Sequence, residues 1–504
     1  MELAHLVAGS SPLQVIGDAH VDITGLACHT AAVTPGTLFF CVPGTRHDGH
    51  DFARQVVAAA AAALVVERRL DVPVPQVVVR SARRAMALCA ATFYGRPTAE
   101  LVVAAVTGTN GKTTTAHLLG AVFEAAGLPC AVLGTVANRI GGRERPVTLT
   151  TADSIDLQGM FREMVTAGDR ACAMEASSHA LAMDRTVGID FDAVVFTNLS
   201  RDHLDYHRDL EDYYLAKRRL FLPDGYRQPH AAAVVSVGDD WGRRLAAECR
   251  GPYGDDLVTF AVEGDAGAAD ADVLAVDVRV AADGASFAYA DRRRGSAPAA
   301  MQIGLGGRFN VANAVAAVAA AVATGVPVEA AATGLAAVAG VPGRFEAVRA
   351  GQPFTVLVDY SHTPDSLLNA LRAARDIGAG RLLVVFGCGG DRDRGKRAEM
   401  GAVAATSADV AVVTSDNPRS EDPQAIIDEI LSGVPAGAPA QVVAEPDRRR
   451  AIETAFRRAT PGDVVVIAGK GHETGQVVGT QKLPFDDRAV ARELLVGRRP
   501  EADG

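Results

Sequence analysis

The sequence predicts an α/β protein of three domains, and three observations carry that prediction. An apolar, Val-rich run at 101–106 leads straight into a glycine turn and then a helical stretch. From residue 340 onward, short Val-rich runs alternate with helical stretches, the pattern of a parallel sheet. Two breaks marked by Gly and Pro, Gly95-Arg-Pro-Thr98 and Gly340-Val-Pro-Gly-Arg-Phe-Glu346, divide the chain into 1–96, 97–342 and 343–504. A length of 504 residues also suits about three domains.

Composition bounds the class. Hydrophobic residues make up 48% and charged residues 22%, as in a globular protein with several cores. A net charge of −10 argues against a general nucleic-acid binder, which would show a basic face. The runs Arg292-Arg-Arg294 and Arg448-Arg-Arg450 read as solvated surface. The seven cysteines are scattered, odd in number and form no C-x-x-C, which fits reduced thiols in a cytoplasm. The first residues, Met-Glu-Leu-Ala-His-Leu, lack the basic and apolar regions of a leader. The longest apolar run, 56–66, is too short to span a bilayer. A cytoplasmic protein with no membrane span is expected.

In the first stretch, 38–42, 63–66 and 76–79 read as strands, and 51–62 and 81–94 as helices. The central stretch opens on the apolar strand and Thr107-Gly-Thr-Asn-Gly-Lys-Thr-Thr114. Gly108 and Gly111 let backbone N–H groups approach phosphates, Lys112 reaches the β/γ-phosphates, and the Thr113 hydroxyl can hold Mg²⁺. Leu118, Leu119, Val122 and Phe123 then recur at helical spacing over 115–126. The strict phosphate-loop pattern needs Gly where Val106 stands. The strand before and the helix after argue against a chance Gly-Lys-Thr on a surface turn.

Ala171-Cys-Ala-Met-Glu175 is a strand ending in an acid, the place from which such folds orient Mg²⁺; otherwise Glu175 is an exposed strand-end charge. Asp192-Ala-Val-Val-Phe196 is another strand. His203 and His207 are four apart, so a helical zinc pair is conceivable, but no third ligand follows at fitting spacing. Residues 255–300 read as a β-rich flap. The helix opened by Gly307-Arg-Phe-Asn carries Asn310 and Asn313 on one face, either for a polar task or as solvated surface.

The last stretch holds strands at 355–358, 382–386, 410–413, 441–443 and 464–467, with helices near 365–376, 396–406, 423–432 and 447–458. This is a Rossmann-like pattern, with ligands at the carboxyl ends of strands. Four polar clusters sit just there: Asp359-Tyr-Ser-His-Thr-Pro364, Gly387-Cys-Gly-Gly-Asp-Arg392, Thr414-Ser-Asp-Asn-Pro-Arg419 and Gly469-Lys-Gly-His-Glu473. Gly387-Cys-Gly-Gly fails the dinucleotide pattern because Arg392 takes the third glycine position. A phosphate loop, a strand-end acid and a separate cleft together suit an ATP-dependent synthetase.

The loop Thr107-Gly-Thr-Asn-Gly-Lys-Thr-Thr114 resembles that of the Mur ligase and folylpolyglutamate synthetase superfamily, where an aliphatic residue at the 106 position is usual. Met174-Glu-Ala-Ser-Ser-His-Ala-Leu181 and Thr197-Asn-Leu-Ser-Arg-Asp-His-Leu-Asp-Tyr-His207 resemble Mur ligase motifs. Val33-Thr-Pro-Gly-Thr-Leu-Phe39, His47-Asp-Gly-His50 and Tyr213-Tyr-Leu-Ala-Lys-Arg-Arg-Leu-Phe221 are similar to segments of the MurE-type branch. The resemblance covers essentially the whole chain. It implies an N-terminal α/β domain for a uridine-linked substrate, a central P-loop-like ATPase domain and a C-terminal Rossmann-like domain.

By that resemblance ATP contacts Gly108, Thr109, Asn110, Gly111, Lys112, Thr113, Thr114, Asn310, Asn313, Arg344 and Asp359. Lys112, Glu175, Asn198, His203 and Lys217 form the catalytic set. Mg²⁺ is held by Thr113, Glu175, His203 and Lys217, the last as a carbamate formed with CO₂, which offers the oxygen ligands Mg²⁺ prefers. Without the family, Lys217 beside Arg218 and Arg219 reads as a solvated helix face. The UDP-linked substrate is assigned Thr30, Thr45, Arg46, His47, Thr150, Thr151, Ser177, Arg185 and Lys217. Here the chain departs from the family: His29-Thr30-Ala31 replaces Asp-Ser-Arg, Ala152 replaces Pro, and Met183 stands where some members carry Gln.

Asp416-Asn417-Pro418-Arg419, with Arg392, Gly469 and Glu473, resembles the diaminopimelate-selecting pocket. An arginine fork suits its distal carboxylate; the alternative for Arg419 is a solvated loop charge. The implied activity is ATP-dependent addition of meso-2,6-diaminopimelate to UDP-N-acetylmuramoyl-L-alanyl-D-glutamate through an acyl phosphate. The partners are small molecules, not nucleic acid, and the enzyme is a monomer. The rivals are a lysine-adding ligase, a folylpolyglutamate synthetase and a nucleotide-dependent switch.

Overall fold

Short β-branched runs separated by turns build the first of two units, which comprises Met1–Thr107, Gly127–Val194 and Ala216–Ala232. The second takes Gly108–Ala126, Val195–Leu215 and the chain from Ala233 onward. The computed structural model describes residues 1–44, 47–225, 228, 230–378 and 380–497.

Unit 1 contains a five-stranded sheet of β1 (Gln14–Ile16), β2 (Gly25–Ala27), β3 (Thr37–Phe40), β4 (Ala63–Val66) and β5 (Gln76–Val78). Its order is β1-β5-β4-β3-β2, and only β1 runs antiparallel. Every residue of β3 and β4 is buried, as expected of parallel strands covered on both faces. Leu38, Phe40 and Val65 pack with Leu3, Leu6 and Met86 on one side; Phe39, Leu64 and Val66 pack with Val56 on the other. The helix expected at 51–62 is shorter. Asp48 caps a tight 3₁₀ turn at Gly49–Phe52, the helix runs only Ala53–Ala58, and Ala60 turns the chain out at φ 68°. Ser81 caps the next helix, Ala82–Phe93, by accepting Arg84 N–H at 3.2 Å.

The same unit holds β6 (Val102–Thr107), β7 (Cys130–Leu133), β8 (Asn138–Ile140), β9 (Arg143–Arg145) and β10 (Ala171–Glu175). β10 pairs in parallel with both β6 and β7, which sets Glu175 opposite Val106. β8 and β9 continue antiparallel from β7. Along β11 (Ala193–Phe196) the chain passes into unit 2.

In unit 2, β12 (Ala232–Ser236), β13 (Leu257–Val262) and β14 (Val273–Ala281) pair in parallel. β14, β15 (Gly284–Asp291) and β16 (Ala299–Ile303) form an antiparallel meander, the flap expected at 255–300. A six-stranded sheet follows: β17 (Glu346–Ala347), β18 (Thr355–Asp359), β19 (Leu382–Phe386), β20 (Val410–Val413), β21 (Gln441–Ala444) and β22 (Val464–Ala468). Its order is β17-β18-β22-β19-β20-β21, parallel apart from β17. Leu357, Val384, Phe386 and Val466 face one core; Val358, Leu383, Val385 and Ile467 face the other, as the two-residue strand period requires.

Two features of this region differ from the sequence expectation. The chain adds a hairpin, β23 (Gly475–Val478) with β24 (Gln481–Pro484), and a helix at Asp487–Val496. All four residues of β24 are exposed, so no apolar alternation announced it. Arg448 is not solvated. It opens the helix Arg448–Arg458 and pairs with Asp487, both side chains being 0% exposed. Arg449, Arg450 and residues 292–294 are exposed as expected.

Candidate active site

Unit 2 carries the phosphate loop. A Cβ at Gly108 would stand 2.0 Å from Thr197 Oγ1, and one at Gly111 (φ 87°) 2.2 Å from Asn313 Oδ1, so both positions require glycine. Asn198 shapes the loop between them. Its carbonyl accepts Thr109 N–H at 2.9 Å, its Oδ1 accepts Asn110 N–H at 2.9 Å, and its Nδ2 donates to Asn110 O at 3.1 Å. The Thr197 hydroxyl donates to the same Asn110 carbonyl at 2.6 Å. The helix Lys112–Ala125 begins earlier than its periodicity indicated, and its N-cap, Gly111, offers no side-chain acceptor. A helix terminus of this kind is suited to an anion.

Lys112 Nζ folds back onto the Gly108 and Thr109 carbonyls at 2.9 and 2.8 Å. Thr113 and Thr114 are buried, and Thr113 Oγ1 accepts Arg344 Nη2 at 2.9 Å. The Arg344 guanidinium lies 4.5 Å over the Tyr360 ring. Asp359, at the end of β18, accepts Phe345 N–H at 2.7 Å and Ser361 N–H at 2.9 Å, and so ties down the segment bearing Arg344. Asn310 and Asn313 are buried rather than solvated. Asn310 lies in the first helical turn and donates to Gly306 O at 2.8 Å; Asn313 Nδ2 donates to Asn310 Oδ1 at 3.1 Å.

His203 sits at φ 56° with Nε2 3.4 Å from Asp202 Oδ2; His362 Nε2 lies 3.8 Å from the same oxygen. Burial would raise the Asp202 carboxyl, but His203, His362, Lys396 and Lys112 outweigh it and hold the group at about 2. Burial, then the Lys396 ammonium, push His362 below its ordinary value. Sequence reasoning passed over Asp202, His362 and Lys396. The first two stood inside polar runs already recognised; Lys396 lies in a helix whose sequence gave no signal. Residues 203–207 are non-helical and lie ahead of the helix Leu210–Arg218, so His203 and His207 form no helical zinc pair. His207 is buried, its ring 5.0 Å from that of Tyr213.

Unit 1 brings Glu175, Thr150, Thr151, Ser177 and Arg185 together. Glu175 is 1% exposed, not a surface charge. Its Oε1 accepts Thr135 N–H at 2.7 Å and its Oε2 accepts the Thr135 hydroxyl at 3.1 Å. Thr150 Oγ1 takes the same hydroxyl at 3.2 Å. Thr151 Oγ1 donates to Glu175 O at 2.8 Å and accepts Ser177 N–H at 3.1 Å. Arg185 bonds Thr151 O at 2.9 Å and pairs with Asp153 at 2.7 Å. Lys217 is 1% exposed, which rules out a solvated helix face. Thr30 is half-buried in a 3₁₀ turn, and His47 is exposed. Thr45 and Arg46 lie outside the described residues.

The polar clusters after β20 and β22 form a second site within unit 2. Arg419 adopts φ 53° and its Nη1 donates to Gly390 O at 2.5 Å, so it is no freely solvated charge. Backbone bonds to β23 fix its loop: Arg419 N–H to Val477 O at 3.0 Å and Gly479 N–H to Arg419 O at 2.7 Å. Asn417 Nδ2 donates to Glu473 Oε2 at 2.8 Å. Pro418 is buried and Arg392 is exposed. Gly469, at φ 114°, leaves space that Asp416 fills: a Cβ there would stand 2.5 Å from Asp416 Oδ2.

Among the described residues no cluster of three or more His, Cys, Asp or Glu side chains is arranged to hold a metal, and no helix is long and apolar enough to cross a membrane. Mg²⁺ asks less of a protein, since it takes one or two oxygen ligands and keeps its waters. The Thr113 hydroxyl and the Glu175 carboxylate have that chemistry.

Fold and loop place the chain among α/β proteins that bind nucleotide phosphates at a glycine loop. Comparison with known proteins narrows this. The profile described as Mur ligase family, catalytic domain, matches residues 22–94; Mur ligase middle domain matches 106–321; Mur ligase, glutamate ligase domain, matches 343–471. A UDP-N-acetylmuramoyl-L-alanyl-D-glutamate–2,6-diaminopimelate ligase of Geobacillus thermodenitrificans (strain NG80-2) is 45% identical over 502 residues, covering 99% of this chain and 100% of that one. A solved structure of a ligase of the same name is 31% identical, with a TM-score of 0.70 over 99% of both chains. The chain belongs to the Mur ligase family. A Mycobacterium tuberculosis folylpolyglutamate synthase structure, 19% identical with a TM-score of 0.59 over 82% of this chain and 95% of that one, shares the fold alone.

Proposed function

We propose that this protein is the ATP-dependent ligase that joins meso-2,6-diaminopimelate to UDP-N-acetylmuramoyl-L-alanyl-D-glutamate in peptidoglycan precursor synthesis. The observation that carries this reading is the Asp416–Arg419 loop, fixed by β23 with Asn417 on Glu473 and Arg419 at its tip. The full-length relative's name supports it. The limits 1–96, 97–342 and 343–504 serve as the uridine-substrate, ATP and amino-acid domains.

The loop residues from Gly108 to Thr114, with Asn310, Asn313, Arg344 and Asp359, hold ATP. Lys112 and Arg344 offset charge as the γ-phosphoryl passes to the substrate carboxylate, a task of positioning and electrostatics. Mg²⁺, when bound, neutralises phosphate charge; Thr113, Glu175, His203 and carbamylated Lys217 would hold it. The acyl phosphate that forms is attacked by the amine of the amino acid, giving an amide, ADP and phosphate. Thr30, Thr45, Arg46, His47, Thr150, Thr151, Ser177, Arg185 and Lys217 hold the UDP-linked acceptor. Arg392 and Arg419 face the distal carboxylate of diaminopimelate, and Glu473 its ammonium. The enzyme acts as a cytoplasmic monomer.

The test is ADP release with the UDP-muramoyl dipeptide and a panel of amino acids. Release should need acceptor and amino acid together and should be fastest with meso-diaminopimelate. Preference for lysine would move the chain to the lysine-adding branch, and release without either substrate would defeat the ligase reading.

A further inference from the structure

We propose that Lys470 is a specificity-determining positioning residue for the amino-acid substrate. It sets Asn417 and Glu473 in one arrangement and cancels the charge of Glu473. The inference rests on the diaminopimelate reading of the cleft and goes beyond the residues assigned to it.

The argument starts from strand order. β20 and β22 are not neighbours, because β19 lies between them. The loops that follow them therefore begin about 10 Å apart, twice the spacing of adjacent strands. Glycines allow the loops to close over the end of β19. A Cβ at Gly387 would stand 2.2 Å from Thr414 O. Two buried cations then bridge the loops. Arg448, neutralised by Asp487, grips backbone: it donates to Ser415 O at 3.3 Å and Ala468 O at 2.9 Å. Lys470 grips side chains: its Nζ lies 3.1 Å from Asn417 Oδ1 and 3.1 Å from Glu473 Oε2.

The Lys470 side chain is 0% exposed, whereas that of Glu473 is 32% exposed. Lys470 therefore acts on a ligand only through its partners. An asparagine amide can face either way, but Lys470 Nζ and Val477 N–H are both donors and both meet Oδ1. That fixes Nδ2 toward Glu473 Oε2. Oε2 now has two donors, which leaves Oε1 to receive a ligand ammonium. Charge completes the case. An isolated Glu473 would attract any ammonium, including the terminal one of lysine. With Lys470 beside it the Glu473 charge is offset, and retention of the ligand depends more on the carboxylate that meets Arg419. Diaminopimelate has that carboxylate and lysine does not.

The test uses the full-length enzyme, with ADP release read against meso-diaminopimelate, L-lysine and ATP. Lys470→Met removes the charge and keeps most of the volume. The KM for diaminopimelate should rise at least tenfold and the KM for ATP should stay within twofold. The diaminopimelate-over-lysine ratio of kcat/KM should fall at least tenfold. Adding Glu473→Gln to Lys470→Met should remove the L-lysine use that the single variant keeps or gains, since that use needs the carboxylate Lys470 no longer offsets. Melting temperatures report folding. If Lys470→Met does not fold, Lys470→Gln, which keeps a donor without a charge, reads the same ratio. An unchanged ratio, equal rises in both KM values, or a double variant with the single variant's L-lysine use would overturn the proposal. A wild-type enzyme inactive with diaminopimelate would instead overturn the reading of the cleft.

Discussion

Arg344 donates from Nη2 to the Thr113 hydroxyl at 2.9 Å, although 231 residues separate the two in sequence. The same guanidinium lies 4.5 Å over the Tyr360 ring, so the cation is held in place beside the phosphate loop. Arg344→Ala should raise the KM for ATP tenfold or more, because a hydrogen bond to a charged group is worth about 1.5–3 kcal/mol. Arg344→Lys should recover part of this, since it keeps the charge and loses the planar fork. ADP release against ATP concentration measures it, and an unchanged KM would take Arg344 out of the nucleotide site.

Lys217 is 1% exposed, which a lysine rarely is unless it is paired. Lys217→Ala should lose ligation, and millimolar-range short-chain carboxylates should partly restore it by replacing the missing anion. Mass or crystallographic evidence of an unmodified amine in a fully active enzyme would refute the carbamate.

Arg419→Ala should weaken diaminopimelate use by more than tenfold and leave lysine use almost unchanged, because only the former ligand loses a charge-assisted pair of about 1.5–3 kcal/mol. Side-by-side kcat/KM values for the two amino acids decide this. Equal losses would mean that Arg419 does not read the distal carboxylate.

Breaking the Arg448–Asp487 pair, with both side chains at 0% exposure, should be expensive. Arg448→Met alone strands a buried carboxylate and should cost about 3–5 kcal/mol. Replacing both by apolar residues should recover most of that. Denaturant midpoints of the single and double variants give the comparison. A neutral single variant would show that the pair is not buried in solution.

A pH effect is expected at Glu421. The hydrogen bond from Arg397 holds its carboxyl down at about 2, against an ordinary 4.5. A folded-state value below the unfolded one means that the stabilisation is present above pH 4.5 and fades as pH falls toward 2. The melting-temperature gap between the wild type and Glu421→Gln should therefore narrow steadily over that window. A gap independent of pH would contradict the pairing.

Much of this was legible because the chemistry is local in sequence. The glycine loop, Lys112 and Thr113 announce themselves within eight residues, and the Val-rich runs of β18, β19, β20 and β22 mark a parallel sheet. The rest depends on what the fold brings together. Lys470 and Arg448 gain meaning only once β19 separates β20 from β22. Asp202 becomes significant only with His362 and Lys396 around it. The start of the helix at Lys112 was hidden because three threonines interrupt its apolar period, and β24 because its side chains are exposed. Thr45 and Arg46 remain sequence assignments alone.

The chain passes between the two units after Thr107, Ala126, Val194, Leu215 and Ala232. Neither unit can therefore be excised as a contiguous fragment. During synthesis the first unit cannot be complete until Ala232 has left the ribosome, nearly halfway along 504 residues. By then the glycine loop is already exposed while most of the unit it belongs to is still untranslated. Nascent chains should accordingly acquire nucleotide-dependent protease resistance late, after the strands that complete unit 2 have emerged.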